Sequence, residues 1–325
     1  MTTRRLGRTD IELSPIGLGC MQFSGTRNVV RWMIRPIDQE TVTSVVRAAL
    51  DGGVNWFDTA EMYGQGQSEE ALAAALKTCG IAPGEVTVAT KWAPLGRTAA
   101  DITRTIGDRL RHLGGFPVGL HQIHMPTGSW SSIPAQLKAM AALLKSGEIR
   151  SVGVSNFSAR QLVLAHRVLA AEGVTLAANQ VRINLLHRNV ERDGVLDAAR
   201  RLGVTLIAYS PLQGGLLSGR FHDDPALVRS QPVMRRFFGV LDRRGLSAQG
   251  LARTRPLVDT MRAIGKAYGV SVSQVALNWL ITRYGDTVVA IPGASKPRQA
   301  ADAAAVMEFR LTEAEIGKLD ELSLT

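Results

Sequence analysis

Cysteine is scarce in this chain. Cys20 and Cys79 form no CxxC pair and no zinc-ligand spacing, so free thiols in a reducing cytoplasm are the natural reading. The six histidines include no HxH or HExxH arrangement, and no metal is expected. Aromatic residues make up only 5%, so any core must rest on Ala, Val, Leu and Ile. No apolar run approaches the roughly 20 residues needed to cross a bilayer, and membrane insertion is not expected. The N-terminus, MTTRRLGRTDIELS, is charged with no apolar stretch behind it, unlike a secretory signal.

What is present is an ordinary globular composition, 45% hydrophobic and 20% charged over 325 residues, enough for one large α/β barrel or two ordinary domains. The formal net charge is +10. The basic residues are scattered rather than blocked, so no nucleic-acid partner is expected, although an anionic cofactor or substrate would exploit the same field.

Short apolar, β-branched runs alternate with segments of helical period. IGLGC, VNWFD, VTVATK, VGLHQIH, RSVGVS, LAANQ, VTLIAYS and TVVAIPG read as eight strands. Helices are predicted near 40–51, 68–77, 101–113, 133–146, 159–171 and 192–202. The runs are continuously apolar, the pattern of strands covered on both faces in a parallel sheet. Residues at strand ends recur regularly. Asp58 to Lys91 and Lys91 to His124 are each 33 positions, His124 to Ser155 is 31, and Gln180 to Tyr209 is 29. Eight such units predict an α/β chain folded as one (β/α)8 TIM barrel domain over 1–325. The rival is a doubly wound sheet, which would open on a glycine-rich phosphate loop. IGLGCMQFSG has GxG without the third glycine at the right spacing.

Three segments depart from the barrel period. TRRL and IELS, joined by GRTD, read as a β-hairpin closing the bottom of the barrel. After Tyr209 comes a long irregular, Arg-rich loop, about 212–254, followed by helices predicted near 256–268 and 271–284. Long loops in compact domains are usually lids or binding loops. LTEAEIGKLDELS reads as a tail helix with a Thr312/Glu315 capping box.

In such barrels the C-terminal strand ends share one face. Asp58, Tyr63, Lys91 and His124 therefore converge. A lysine cation beside Tyr63 would lower the phenol's pKa and suit it to protonate a developing alkoxide. Asp58 is placed to pair with Lys91, which needs a partner if buried. His124 can orient a carbonyl oxygen. Nothing here is a source of electrons, so a cofactor must supply a hydride.

FDTAEMYGQGQSEE, VATKW, QIHMP, SVGVSNFS, NQVRINLLHR, AYSPLQGGLLSGRF and IPGASK, in that order from about residue 4 to 322, resemble the aldo-keto reductases. The wording GVSNF and SPLxxGLLSG is most similar to the branch holding the potassium-channel β-subunits and bacterial general reductases. The resemblance implies NADP(H)-dependent reduction of a small-molecule carbonyl, with Tyr63 as proton donor and Asp58, Lys91 and His124 completing a tetrad. It implies that Ser155, Asn156 and Gln180 hold the nicotinamide amide and that Tyr209 stacks on the ring. Gly19, Cys20 and Met21 would line the cofactor beside the first strand and Asp58. Ser210, Pro211, Leu212 and Gly214 would approach the pyrophosphate.

The stretch from Gly293 through Ser295, Lys296, Arg298 and Gln299 follows the eighth strand and opens a helix, a natural anion site fitting an adenosine 2′-phosphate. Gln299 matches the family's adenine-side glutamine. Asp302 and Ala303 stand where the family commonly has Glu and Asn, and the loss of the Asn weakens one adenine contact that the resemblance implies. Met125 and Pro126 replace the aromatic or acidic residue often found after the histidine. Trp32, Met33, Met62, Trp92, Trp130 and Phe237 or Phe238 are candidate walls of an apolar substrate pocket. Two alternatives stand beside the reductase: an NADPH-binding redox-sensing accessory protein with slow turnover, and a polyol or sugar dehydrogenase running the reverse reaction. No oligomeric partner is assigned.

Overall fold

The structure, a computed structural model, describes residues 3–25, 37–231 and 245–324. Trp32, Met33, Phe237, Phe238 and the middle of the predicted Arg-rich loop lie outside the described residues.

Arg4–Arg5 (β1) and Glu12–Leu13 (β2) pair antiparallel as the expected hairpin. Eight strands follow: Leu18–Gly19 (β3), Trp56–Asp58 (β4), Thr87–Trp92 (β5), Val118–Ile123 (β6), Val152–Ser155 (β7), Leu176–Arg182 (β8), Thr205–Tyr209 (β9) and Val288–Ala290 (β10). Each pairs in parallel with its sequence neighbour. The sheet closes on itself. Gly17 N–H donates to the Ala290 carbonyl (2.8 Å), Ala290 N–H to Pro15 (2.9 Å) and Gly19 N–H to Pro292 (3.0 Å). The result is the (β/α)8 barrel that the strand spacing predicts.

The crossovers are Gln39–Asp51 (α1), Gln67–Thr78 (α2), Ala100–His112 (α3), Ile133–Lys145 (α4), Ala159–Ala171 (α5) and Val195–Leu202 (α6). Their ends have local causes. Asp38, Ser132 and Ser158 accept from backbone N–H groups at the starts of α1, α4 and α5, and Ser158 with Gln161 forms a full capping box. In α1, Val42, Val45, Val46 and Ala49 recur at the helical spacing and are the buried residues. That stripe packs each helix against the outside of the strands. A second apolar cluster fills the barrel interior, where Leu6, Ile11 and Leu13 of the hairpin segment meet Trp56, Leu120, Ile207 and Val289. The hairpin is thus the floor of the barrel. Gly17 admits Trp56 to that interior, because a Cβ there would sit 2.3 Å from the indole.

Past Tyr209 the structure is more regular than predicted. Gln213–Ser218 and Pro225–Val228 are 3-10 turns and Arg220–Asp223 is a single α turn. The next helix begins at Ala248, not near Pro256, and runs to Tyr268. Ser247 caps it, and the proline lies inside. Proline removes one intrahelical hydrogen bond, but buried Leu251, Thr254, Leu257, Val258 and Met261 hold both sides of it against the body. Val272–Arg283, Pro297–Ala304 and Glu313–Leu324 complete the helices, the last with its Thr312/Glu315 cap in place. No helix among the described residues is long and apolar enough to cross a membrane.

Candidate active site

Parallel register brings the polar strand ends to one rim. Asp58 is level with Gly19, Lys91 with Gln122, Ser155 with Gln180, and Tyr209 with Arg182. Lys91 is completely buried and Asp58 is 1% exposed. The Lys91 ammonium donates to Asp58 Oδ1 and, at 2.8 Å, to the Thr59 carbonyl. A buried ion pair is tolerable only when the remaining valences of both ions are met. Here Asp58 Oδ2 accepts from Gln180 Nε2 at 2.8 Å and from Gln122 Nε2 at 3.2 Å. Burial alone would depress the Lys91 ammonium, but Asp58 and Tyr63 more than offset it, so its pKa stands above the usual lysine value.

Tyr63 lies on the irregular segment between β4 and α2, half-buried, with Lys91 Nζ 5.2 Å from its ring centre. Its ring meets His124 edge-on, centroids 6.0 Å apart at 83°. The tyrosine corrects one expectation. Burial raises its pKa, and the opposing pull of Lys91 does not overcome it, so the phenol is held above rather than below its ordinary value. His124 is pushed down to about 3, by burial first and by Lys91 second, so its imidazole is neutral near pH 7. Its Nδ1 has no partner among the described residues.

The groups expected to meet a cofactor fall into three sets. Ser155, Asn156, Gln180 and Tyr209 form one connected patch. Tyr209 donates to Asn156 Oδ1 (3.0 Å), Asn156 Nδ2 to Ser155 Oγ (3.0 Å), and Ser155 Oγ to the Gln180 carbonyl (2.9 Å). Asn156 holds this place in the left-handed region, φ 60°. Gln180, through Asp58, ties the patch to the quartet.

A second set surrounds the barrel seam. Gly19 and Met21 are partly open, whereas Cys20 is fully buried. Its N–H donates to the Asp58 carbonyl and its own carbonyl accepts from Ser68 Oγ, while its thiol packs in the apolar core. Cys20 therefore holds the site from below and does not line its surface. Beside it, buried Gln22 Oε1 has no partner among the described residues, and the Gln22 amide lies against Gly293, where a Cβ would meet it at 2.4 Å.

Ser210 and Gly214 are exposed, Leu212 partly so, and Pro211 is buried. The third set, Gly293, Lys296, Arg298 and Gln299, is exposed at the start of the Pro297–Ala304 helix. Gln299 Oε1 turns back to accept from Ser295 N–H (2.9 Å) and Oγ (3.2 Å) instead of reaching outward. Of the proposed substrate walls, Trp92 is core at 1% exposure, Met62 is half-buried, and Trp130 is 80% exposed.

Gln122 went unremarked in the sequence. Its signal was a polar residue inside the apolar run VGLHQI, two positions before His124 and so on the same strand face. Gly153 leaves room for it, since a Cβ at 153 would lie 2.9 Å from Gln122 Cγ.

A neutral imidazole, a phenol and a buried, paired ammonium arranged at the mouth of a barrel make a site for protonating or deprotonating a substrate oxygen. The sequence profile of the Aldo/keto reductase family matches residues 15–324. The chain belongs to that family and is an oxidoreductase acting at carbonyl and alcohol carbons. It is 36% identical over 312 residues to an uncharacterized oxidoreductase of Mycobacterium tuberculosis, covering 94% of this chain and 85% of that one. It is 29% identical to the chloroplastic pyridoxal reductase of Arabidopsis thaliana over 316 residues, covering 94% of this chain and 82% of the other. Among solved structures, the glycerol dehydrogenase of Gluconobacter oxydans superposes with a TM-score of 0.82 at 29% identity, over 98% of this chain and 94% of the other. The family binds a nicotinamide cofactor and acts on small carbonyl compounds.

Proposed function

We propose that the protein is an NADP(H)-dependent reductase of aldehydes and ketones, with Tyr63 as the acid, built as one domain across 1–325. The observation that carries this reading is the fully buried Lys91, held between Asp58 and the Tyr63 ring. Such an ammonium has one evident use beyond its ion pair: it stabilises the phenolate left when Tyr63 gives up its proton.

The residues present fit an extended dinucleotide. Gly19 is partly exposed and Gly214 and Gly293 are exposed, none with a side chain of its own, Gln22 Oε1 lacks a partner among the described residues, and Lys296 and Arg298 are exposed cations at a helix start. Ser155, Asn156 and Gln180 would hold the nicotinamide amide, Tyr209 would cover one ring face, Ser210 to Gly214 would meet the pyrophosphate, and Lys296 with Arg298 a 2′-phosphate. When bound, the nicotinamide supplies the hydride.

Neutral His124 donates a ring N–H to the substrate oxygen and orients it. Tyr63 transfers its hydroxyl proton to that oxygen. Lys91, fixed by Asp58, meets the charge left on the phenol, and Gln122 and Gln180 keep Asp58 in place. Run backwards, the phenolate accepts a proton from an alcohol, so the same groups serve polyol oxidation, and the likeness to a glycerol dehydrogenase supports testing that direction. Free Cys20 and Cys79 support a reducing, cytoplasmic setting.

A panel of test aldehydes such as nitrobenzaldehyde, assayed with NADPH and NADH, examines the reading. Tyr63→Phe is expected to lose roughly 10²- to 10⁴-fold in kcat while NADPH still changes fluorescence on binding. Normal turnover by Tyr63→Phe would remove Tyr63 from the role of acid.

A further inference from the structure

The segment that carries Tyr63 is not regular structure. It turns through Gly64, Gln65 and Gly66, all at positive φ, before α2 begins. Such a segment needs an external hold if the phenol is to keep its place over Lys91. Two carboxylates flank it, Glu61 and Glu69, with side chains only 11% and 0% exposed. Glu61 Oε1 accepts from the Ala93 backbone N–H (2.5 Å) and from Arg97. Glu69 Oε1 accepts from Thr90 Oγ1 (2.5 Å), and His112 Nδ1 stands 3.2 Å from Oε2. Thr90 and Ala93 belong to the stretch that carries Lys91. Both carboxylates thus grip the lysine's strand, one on each side of the tyrosine.

One group joins the two grips. Arg109, on α3 and 5% exposed, donates Nε to Glu69 Oε2 at 2.8 Å and a terminal nitrogen to Glu61 Oε2. Among the described residues it is the one side chain that touches both. Two buried carboxylates facing the same strand repel and carry a desolvation cost; without their shared cation Glu61 would keep Arg97, and Glu69 would keep Thr90 and His112, but no side chain among the described residues would tie the two to each other. A guanidinium spans both in one rigid plane, which an ammonium cannot do.

We infer that Arg109 is a positioning residue for catalysis: by bridging Glu61 and Glu69 it fixes the Tyr63 segment against the strand of Lys91 and so sets the distance between phenol and ammonium. Arg109 touches neither Tyr63 nor Lys91 and acts through the two glutamates. The inference rests on Tyr63 being the acid.

The test compares wild type, Arg109→Lys, Glu61→Gln and Tyr63→Phe. Arg109→Lys keeps the charge and loses the two-pronged geometry. Glu61→Gln keeps the side chain's shape and leaves the Arg109–Glu69 pair intact, so it decides the matter if Arg109→Lys fails to fold. In each folded variant kcat should fall by roughly 100-fold, the scale of a displacement near 1 Å. NADPH affinity, read by fluorescence, should stay within about two-fold, because the cofactor residues are elsewhere; a uniform structural loosening would move both. The phenol's ultraviolet ionisation difference against Tyr63→Phe should titrate at higher pH, since Lys91 is farther away. Wild-type kcat with an unmoved Tyr63 titration in a folded Glu61→Gln or Arg109→Lys overturns the inference. Full turnover by Tyr63→Phe overturns the assignment of the acid instead, and the titration of Tyr63 still reports on the tether.

Discussion

Asp58→Asn keeps the shape of the side chain and removes its charge, and no orientation of the new amide satisfies its neighbours while Gln122 and Gln180 keep their present amide orientations. With its oxygen toward Gln122 and Gln180, its NH₂ faces the Lys91 ammonium. Flipped, its NH₂ faces two amide NH₂ groups, because both glutamines donate to Oδ2 in the wild type. Either way donor meets donor in a site where Lys91 has no exposure at all. Breaking a buried ion pair by removing one partner costs about 3–5 kcal/mol. Lys91 can escape only by losing its proton, which at pH 7 costs about 4.6 kcal/mol, from a reference pKa near 10.4 at about 1.36 kcal/mol per unit. The two routes agree, so about 4 kcal/mol is expected at pH 7.

The pH dependence carries a sharper signature. In the wild type the Lys91 pKa is raised, so its stabilisation is complete below about pH 10.4 and disappears only as pH climbs through the folded value. In the variant, burial is unopposed by the carboxylate and the folded pKa drops. The variant should then gain stability between pH 7 and about 10.4, narrowing its deficit by up to about 1.4 kcal/mol per unit. Urea unfolding at pH 7, 8 and 9, followed by fluorescence of buried Trp56, Trp92 and Trp279, measures both effects. A variant within about 1 kcal/mol of wild type at pH 7, or a deficit that stays constant with pH, would refute the account of a buried lysine held charged by Asp58.

His121 is 1% exposed with Nδ1 unpartnered among the described residues, and burial followed by Arg109 and Arg97 holds its pKa down to about 3. Being depressed, it costs stability as pH falls from its unfolded value near 6.5, by about 2 kcal/mol at pH 5; in a folded His121→Phe the acid-side slope of urea-derived stability should flatten by that amount. Gly153→Ala should push Gln122 away from Asp58, costing about 1–3 kcal/mol and lowering kcat with KM little changed, as steady-state kinetics and thermal melting would show together.

The quartet was legible because Asp58, Lys91 and His124 each end an apolar run, and a regular strand period turns sequence spacing into a shared rim. Gln122 was obscured because it sits inside its run. The Arg109 bridge was less visible still: its bonds span 40 and 48 residues, and charged residues on helices ordinarily face water. The start of the Ala248–Tyr268 helix was misplaced because proline favours a first turn, while here the residues on both sides of Pro256 pack inward and Ser247 supplies the cap. The direction of the Tyr63 shift needed a weighing of burial against a neighbouring cation, which sequence spacing does not contain.

The seam between the first and last barrel strands has a consequence for how the chain is made. β3 is two residues long, and the bridges at the seam, Ile16 to Ala290 and Gly19 to Gly293, join opposite ends of the polypeptide. Arg4 reaches the Ile281 carbonyl at 2.7 Å across a sequence separation of 277. Until the eighth strand has left the ribosome, the nascent sheet is an open ribbon with two unpaired edges and an exposed apolar lining, the form of a strand protein most open to wrong partners. Closing so long a loop is also the slowest kind of contact to form. The proposed quartet, Asp58 to His124, is complete in sequence long before the ring that supports it can shut, so a chain truncated before Val288 would carry the quartet and the open edges together.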